Sequence, residues 1–374
     1  MNILVVNWQD IRNPHAGGAE VHLHEVFRRI AAMGHGVTLY CSSFPGAPHE
    51  ETVDGMQIIR EGGRYSFNMR PLPAYLRRFR RGRFDVIVDD LNKIPFFLPA
   101  YVREPVCCVT HHLFDTSIFR ETNPVLASYV YLMERSAIAF YCRRHVPFIV
   151  GSPSTKEELV QRGCRAEDVH VVNYAVDHAT HRRTGVPKSA APLIGYFGRL
   201  KRYKSVHHLL EALPAVLGEV PSLRVMIVGE GDDRPRLEAI ARENNLSRLV
   251  EFTGYVSEER KMELLQQMWC KVMTSSKEGW GLTVLEANAC GTPVIASRVP
   301  GLRDAVRDGE TGLLYGFGET ADLAGKITRL LRDRAYREKL SAEALRWSQS
   351  FTWERAAAET LAVLEEVGAR NSAR

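Results

Sequence analysis

Two carboxylates, Glu278 and Glu286, stand in the stretch Glu278-Gly279-Trp280-Gly281-Leu282-Thr283-Val284-Leu285-Glu286, with seven residues between them. An apolar run, Lys271 to Thr274, precedes them as a strand, and the pattern that follows is helical. Glu278 then lies on the turn leaving the strand and Glu286 about two helical turns in, so both can face the space above the helix N-terminus. First-turn N–H groups are unpaired there, the helix dipole adds partial positive charge, and Gly279 and Gly281 let a ligand approach the main chain closely. Such a place suits an anion, and a carboxylate beside it is a poor phosphate partner but a strong acceptor for hydroxyls. The chemistry this points to is a ligand carrying both phosphates and sugar hydroxyls.

The elements that must hold this stretch alternate between strand and helix. Ile3 to Val6 reads as a strand, followed by the loop Asn7 to His15, Ala16-Gly17-Gly18-Ala19-Glu20, and a helix with Leu23, Val26, Phe27 and Ile30 at helical spacing. Gly34-His35-Gly36 stops that helix before the strand Val37 to Tyr40, which is the opening of a doubly wound parallel sheet with ligand loops at its carboxyl edge. Gly17-Gly18 reads either as a tight turn or as a loop touching phosphate. Phe84 to Asp89 and Val106 to Thr110 are further buried strands, the second ending in His111-His112. Those histidines could be a metal fragment, a general base or loop residues; without a His-Glu-x-x-His pattern or a third ligand nearby, metal is disfavoured. Strands at Pro147 to Ser152 and Val169 to Val172 lead to Asn173-Tyr174-Ala175-Val176-Asp177. A basic, Pro-containing, non-periodic stretch reads as a linker, and a second sheet restarts at Leu193 to Phe197. The expected division is residues 1–178, a linker at 179–192, a second domain at 193–352 and a terminal helix from 353 to 374. Leu223 to Val228 closes on Gly229-Glu230-Gly231-Asp232-Asp233, which lacks the third glycine of a dinucleotide fingerprint.

At 374 residues the chain exceeds what one core usually serves, and 45% hydrophobic with 25% charged residues is ordinary globular composition. No run reaches the roughly 18 apolar residues of a membrane span. Met1-Asn2 leads straight into a strand without a visible signal peptide, so a cytoplasmic protein is expected. Seven scattered cysteines without a Cys-x-x-Cys pair read as reduced, mostly buried thiols. Between Arg60 and Arg83 there are eight arginines against one acid, Glu61: a local net of +7 in a chain of net +5, so the remainder sums to −2. Tyr65, Phe67, Tyr75 and Phe79 interleave with them. This is either a solvated basic face or a surface for an anionic membrane or acceptor; nucleic acid is disfavoured, since no recognition motif accompanies it.

From Phe252 to Leu314 the chain resembles the donor-binding half of the family 4 glycosyltransferases, retaining enzymes of the GT-B fold. The resemblance rests on Phe252-Thr253-Gly254, the Glu-x7-Glu pair, the run Glu286-Ala287-Asn288-Ala289-Cys290-Gly291-Thr292-Pro293-Val294-Ile295-Ala296, and Thr311-Gly312-Leu313-Leu314. It implies two Rossmann-like domains facing across a cleft, and transfer of a sugar, a hexose, from a nucleoside diphosphate to a hydroxyl acceptor that is a glycan, glycolipid or small glycoside. Gly198-Arg199-Leu200 with Lys204 is similar to the family's diphosphate-gripping element, and fixed cations there would stabilise the charge gained by the leaving group. By the same resemblance Glu286 takes ribose hydroxyls and Glu278 those of the transferred sugar. The amides of Gly279, Trp280, Gly281 and Leu282, with Thr283, hold the diphosphate; Gly17 and Gly18 lie beside it, and Gly229 and Val256 near the base. His111, with His112 as the competing candidate, contacts donor sugar or acceptor. Catalysis would rest on Glu278, Arg199, Lys204 and His111, without a metal, since no Asp-x-Asp triplet occurs. Relatives usually carry Pro-Asn-Gly-Val-Asp where this chain has Asn173-Tyr174-Ala175-Val176-Asp177, so Tyr174 is a departure. A sugar phosphorylase or epimerase of the same architecture, or a binding protein without chemistry, are the competing readings.

Overall fold

Short β-branched and leucine runs, buried on both faces, build two sheets with helices packed on each side. The computed structural model describes residues 1–82, 84–91, 94–120 and 122–372, in two units: Met1–Ala175 with Trp353–Arg374, and Val176–Thr352. Arg83, the last of the basic run, lies outside the described residues.

The first unit runs β1 (Asn2–Val6), α1 (Gly18–Ala32), β2 (Gly36–Cys41), β3 (Glu50–Val53), β4 (Met56–Arg60), α2 (Pro71–Arg77), β5 (Val86–Leu91), β6 (Val106–Thr110), α3 (Pro124–Arg143), β7 (Phe148–Val150), α4 (Pro153–Gln161) and β8 (Val169–Val171). Its sheet order is β3-β4-β2-β1-β5-β6-β7-β8, parallel except for the β3–β4 hairpin. The second unit runs β9 (Leu193–Phe197), α5 (His207–Glu219), β10 (Arg224–Val228), α6 (Arg234–Glu243), β11 (Val250–Gly254), α7 (Glu258–Gln267), β12 (Cys270–Met273), α8 (Leu282–Ala289), β13 (Val294–Ser297), α9 (Leu302–Ala305), β14 (Gly312–Tyr315), α10 (Thr320–Arg332) and α11 (Arg334–Ser348). Its sheet, β11-β10-β9-β12-β13-β14, is parallel throughout. In both, the first strand sits inside the sheet and later strands add on either side of it, so loops at the carboxyl ends converge where the strand order reverses. A final helix, α12 (Trp353–Ser372), belongs to the first unit, where it packs on α1 and buries Ala357, Val363 and Leu364.

Three expectations change. The hairpin β3–β4 was not expected; it turns at Asp54-Gly55, both at positive φ, which is the geometry that dipeptide favours. Cys142 and Cys164 are joined by a disulfide, because the end of α3 and the loop after α4 bring their Cα atoms to 4.6 Å; the other five cysteines are free and buried. Arg60 is not part of the basic surface. Its guanidinium is fully buried, donating to Asp10 Oδ2 (2.6 Å), Glu51 Oε1 (2.9 Å) and the Pro48 carbonyl (3.1 Å). Burial pushes the Asp10 carboxyl up, but the Arg60 bond outweighs it and holds the pKa below the ordinary value. This pair anchors the loop after β1 to the end of β4.

Removing one member of a buried pair strands the other, so Arg60→Ala should cost about 3–5 kcal/mol in urea unfolding. Arg80→Ala, on the exposed part of the same run, should stay within about 0.5 kcal/mol. Equal midpoints for the two would contradict the assignment.

Candidate active site

In the second unit β9 and β12 are parallel neighbours, so the loops leaving their carboxyl ends lie side by side. The first loop carries Gly198, Arg199 and a single 3-10 turn, Arg202–Lys204; the second carries Ser275 to Gly281 and opens α8. Main-chain carbonyls join them: Thr274 Oγ1 donates to the Lys204 carbonyl (2.8 Å), and Ser276 donates from N and Oγ to that of Tyr203 (2.8 and 3.0 Å). Across this seam Lys204 Nζ donates to Glu278 Oε1 (2.5 Å), which also accepts from Ser275 Oγ (2.6 Å). Burial disfavours the charged lysine, yet the Glu278 carboxylate more than offsets it, and the Lys204 pKa lies above its ordinary value. Arg199 is exposed and makes no ion pair among the described residues.

The α8 N-terminus is capped by Gly281, whose backbone is left-handed (φ 91°) and which supplies no side-chain acceptor. Glu286, near the other end of this eight-residue helix, pairs with Lys261 Nζ of α7 (2.8 Å) and has His181 Nε2 at 3.9 Å. Burial raises the Glu286 pKa, but Lys261 and then His181 outweigh that, so the carboxylate stays ionised below its usual range. Under the same turn, Lys271 of β12 donates from Nζ to the Thr283 carbonyl (2.5 Å). Trp280 is buried with its ring against Phe351, so only its backbone remains available to a ligand. Gly198 and Gly229 end the adjacent strands β9 and β10, and Val256 sits half-buried in the turn before α7.

In the first unit His111 follows β6 and is buried. Its Nε2 faces Asp90 Oδ2 of β5 (3.1 Å) and its Nδ1 meets the Tyr174 hydroxyl. A carboxylate only accepts, so Asp90 fixes the proton on Nε2 and leaves Nδ1 to Tyr174 in the neutral ring. Burial lowers the His111 pKa, but Asp90 first and Glu20 second more than reverse it. Tyr174 stacks on His22 (3.9 Å between centroids) and lies so close to Gly151 that a Cβ there would stand 2.6 Å from the tyrosine ring. Gly17 caps α1, and its amide donates to Glu20 Oε2 (2.7 Å), so that N–H is already used; Gly18 begins the helix. His112 packs its ring against Phe114.

Glu278, Glu286 and Lys204 thus gather around one helix, with Arg199 on the same loop as Lys204, while His111, Gly17 and Gly18 belong to a separate cluster in the first unit. Sequence reasoning missed Lys261, Lys271, His181 and Ser275 in the second unit, and Asp90, Glu20 and His22 in the first. Lysine 271 inside an apolar strand and the Asp89-Asp90 pair at a strand end were visible signals, since isolated charges in such runs need a reason. Gly17 with Glu20 had capping-box spacing. Nothing local marked Lys261 or His181, whose roles depend on contacts with α8.

Since His111 has a folded pKa above the unfolded value of about 6.5, its pairing stabilises the protein fully below that pH and the contribution is lost as pH rises through the folded value. Asp90→Asn should therefore lower the His111 titration midpoint followed by NMR of the imidazole Cε1–H. An unmoved midpoint would remove Asp90 from that role.

Residues 16–180 match the family model described as Glycosyltransferase Family 4, and residues 177–347 match that described as Glycosyl transferases group 1. A D-inositol 3-phosphate glycosyltransferase from Streptomyces bingchenggensis is 29% identical over 94% of this chain and 85% of its own length. A glycogen synthase from Mycobacterium tuberculosis is 26% identical over 97% and 94%. Among solved structures, sucrose-phosphate synthase from Thermosynechococcus elongatus superposes with a TM-score of 0.82 at 22% identity, covering 99% of each chain. Anabaena HepE, solved with UDP and glucose, gives 0.76 at 19% identity over 98% of this chain and 100% of its own.

Proposed function

Because the chain belongs to the family 4 glycosyltransferases of GT-B fold, we propose that it moves a hexose from a nucleoside-diphosphate sugar to a hydroxyl acceptor, with retention and without a metal. The observation that carries the donor reading is the α8 N-terminus: a helix start without a side-chain acceptor, flanked by Glu278 paired with Lys204 and by Glu286 paired with Lys261, with Arg199 exposed on the same loop as Lys204. The amides and cations suit a diphosphate, and the carboxylates suit hydroxyls of the sugar and ribose. Lys204 and Arg199 would offset the charge of the departing diphosphate, which is the part a metal otherwise plays. In a retaining reaction on one face of the sugar, the leaving phosphate would take the acceptor's proton, so neither carboxylate needs to act as a nucleophile. HepE's UDP and glucose make UDP-glucose the first donor to try, beside GDP- and ADP-sugars.

A nucleotide sugar that binds should raise the melting temperature by mass action. Glu286→Ala should fold yet lose at least tenfold in donor affinity or turnover, since a charged hydrogen bond contributes roughly 1.5–3 kcal/mol. Activity should persist in EDTA. Unchanged kinetics in the folded variant, or loss in EDTA restored by Mg²⁺ or Mn²⁺, would count against the reading; phosphate or water taking the place of the acceptor would favour the phosphorylase or epimerase reading.

For the acceptor, we infer that the first unit meets an anionic lipid surface, which makes the protein peripheral at the inner face of the membrane and suits a lipid-linked or anionic acceptor. No helix among the described residues is long and apolar enough to cross a membrane. Of the basic run, Arg64, Arg70, Arg77, Arg80 and Arg81 are exposed, whereas Arg78 pairs with Glu50 (2.7 Å). Among them stand Tyr65, 91% exposed, and Met69, 72% exposed, with Leu72 and Leu76. A second apolar set at the start of α3 includes Val125, 82% exposed, and Leu132, 60% exposed, beside Phe119, Leu126 and Tyr129. Ile94 links the two: its carbonyl accepts from Asn68 Nδ2 (3.2 Å) and its side chain packs against the buried cluster of Phe114, Ile118, Ala127 and Val130. Apolar side chains rimmed by arginines match a bilayer's interface and its negative headgroups.

At about 1 kcal/mol per basic residue, the triple change Arg77→Ser, Arg80→Ser and Arg81→Ser should cut flotation with phosphatidylglycerol vesicles by about a hundredfold in partition, and Val125→Ser with Leu132→Ser should weaken it separately. Partition equal to the parent protein at low salt, where charge effects are largest, would reduce this face to a solvated one.

A further inference from the structure

Three lysines surround α8, and two are committed to carboxylates: Lys204 to Glu278 and Lys261 to Glu286. The third, Lys271, is fully buried in the central strand β12, and its Nζ reaches the Thr283 carbonyl in the first turn of α8. It forms no ion pair among the described residues. We propose that Lys271 is a third cation of the phosphate site, a positioning residue that acts through the first turn of α8 and takes up a proton when a diphosphate arrives. The proposal rests on the donor reading above.

The charged groups facing Lys271 come in opposed pairs: Glu286 on α8 with Lys261 on α7, and Glu278 on the loop into α8 with Lys204 after β9. Their fields partly cancel, so a single neutral carbonyl is the ammonium's direct compensation. A buried cation with one such acceptor loses most of its hydration, which disfavours the charged form. Burial lowers Lys271 to about 7, with Glu286 and Glu278 pulling the other way against Lys261 and Lys204. A diphosphate diester adds negative charge at the amide end of the same turn and carries no phosphate proton that titrates near neutrality. Its field favours the ammonium, and a proton passes from the buffer to the Nζ lone pair. The Nζ–H bond to the Thr283 carbonyl then strengthens, which fixes the turn whose amides hold the phosphates.

The sign follows from linkage. The bound form has the higher lysine pKa, so affinity is greatest below pH 7 and falls as pH rises through the window between free and bound values, by at most about tenfold per pH unit. UDP-glucose without acceptor, titrated calorimetrically in two buffers of different ionisation heat, reads this directly. The wild-type protein should take up about half a proton at pH 7. Lys271→Met should take up none and bind with a flat pH profile, while Lys271→Arg should hold its affinity through pH 8.5. Binding by wild type without proton uptake, or the same uptake in either variant, overturns the proposal, and the wild-type comparison decides even where a variant fails to fold. If no UDP-, GDP- or ADP-sugar binds at all, the donor reading falls and takes this one with it.

Discussion

The ion pair of Lys204 and Glu278 joins two loops that the sheet places next to each other, and the second unit's site depends on it. Each partner alone would be a charge removed from water with nothing to balance it, a cost of several kcal/mol. Together they let a lysine stand near a helix N-terminus, where the dipole would otherwise repel it. Glu278 accepts from Lys204 and Ser275 through Oε1, while Oε2 is left out of those bonds. Because the seam is held by main-chain carbonyls at Tyr203 and Lys204, its geometry follows from the strands and less from the side chains on display.

The alternating order of strand and helix was legible because parallel strands are buried on both faces and read as continuous apolar runs: β1, β5, β6, β9 and β10 all fall where such runs stand. The two glutamates around Gly281 were legible for the same reason, since the strand before them and the helical pattern after them fix their places. The edge hairpin was harder: Glu50 to Val53 is mostly polar, so its one signal was Asp54-Gly55. Arg60 looked like its neighbours in the basic run because composition is blind to the chain 50 residues earlier that brings Asp10 against it. Lys261 and His181 were invisible for that reason too. A residue that serves by orienting another has no type or spacing of its own; it is recognised only when the fold supplies its partner.

The two units begin their site helices differently, and the difference bears on where an anion goes. Helix α1 starts at Gly17, and the chain itself brings Glu20 back to the Gly17 amide, so the positive end of that helix is already met by a carboxylate. Burial holds the Glu20 pKa above its ordinary value, and the Gly17 bond opposes this only in part. Beside it, both nitrogens of His111 are engaged, by Asp90 and Tyr174. A phosphate approaching α1 would compete with an acid already in place, and a hydroxyl approaching His111 would have to displace Tyr174. Helix α8 has none of this protection: its cap is a glycine, no acidic side chain stands in its first turn, and Lys204, Lys261 and Lys271 lie around it. Of the two helix starts, α8 is therefore the one whose first turn has neither a side-chain cap nor an acidic side chain, whereas at α1 the chain's own Glu20 already takes the Gly17 amide.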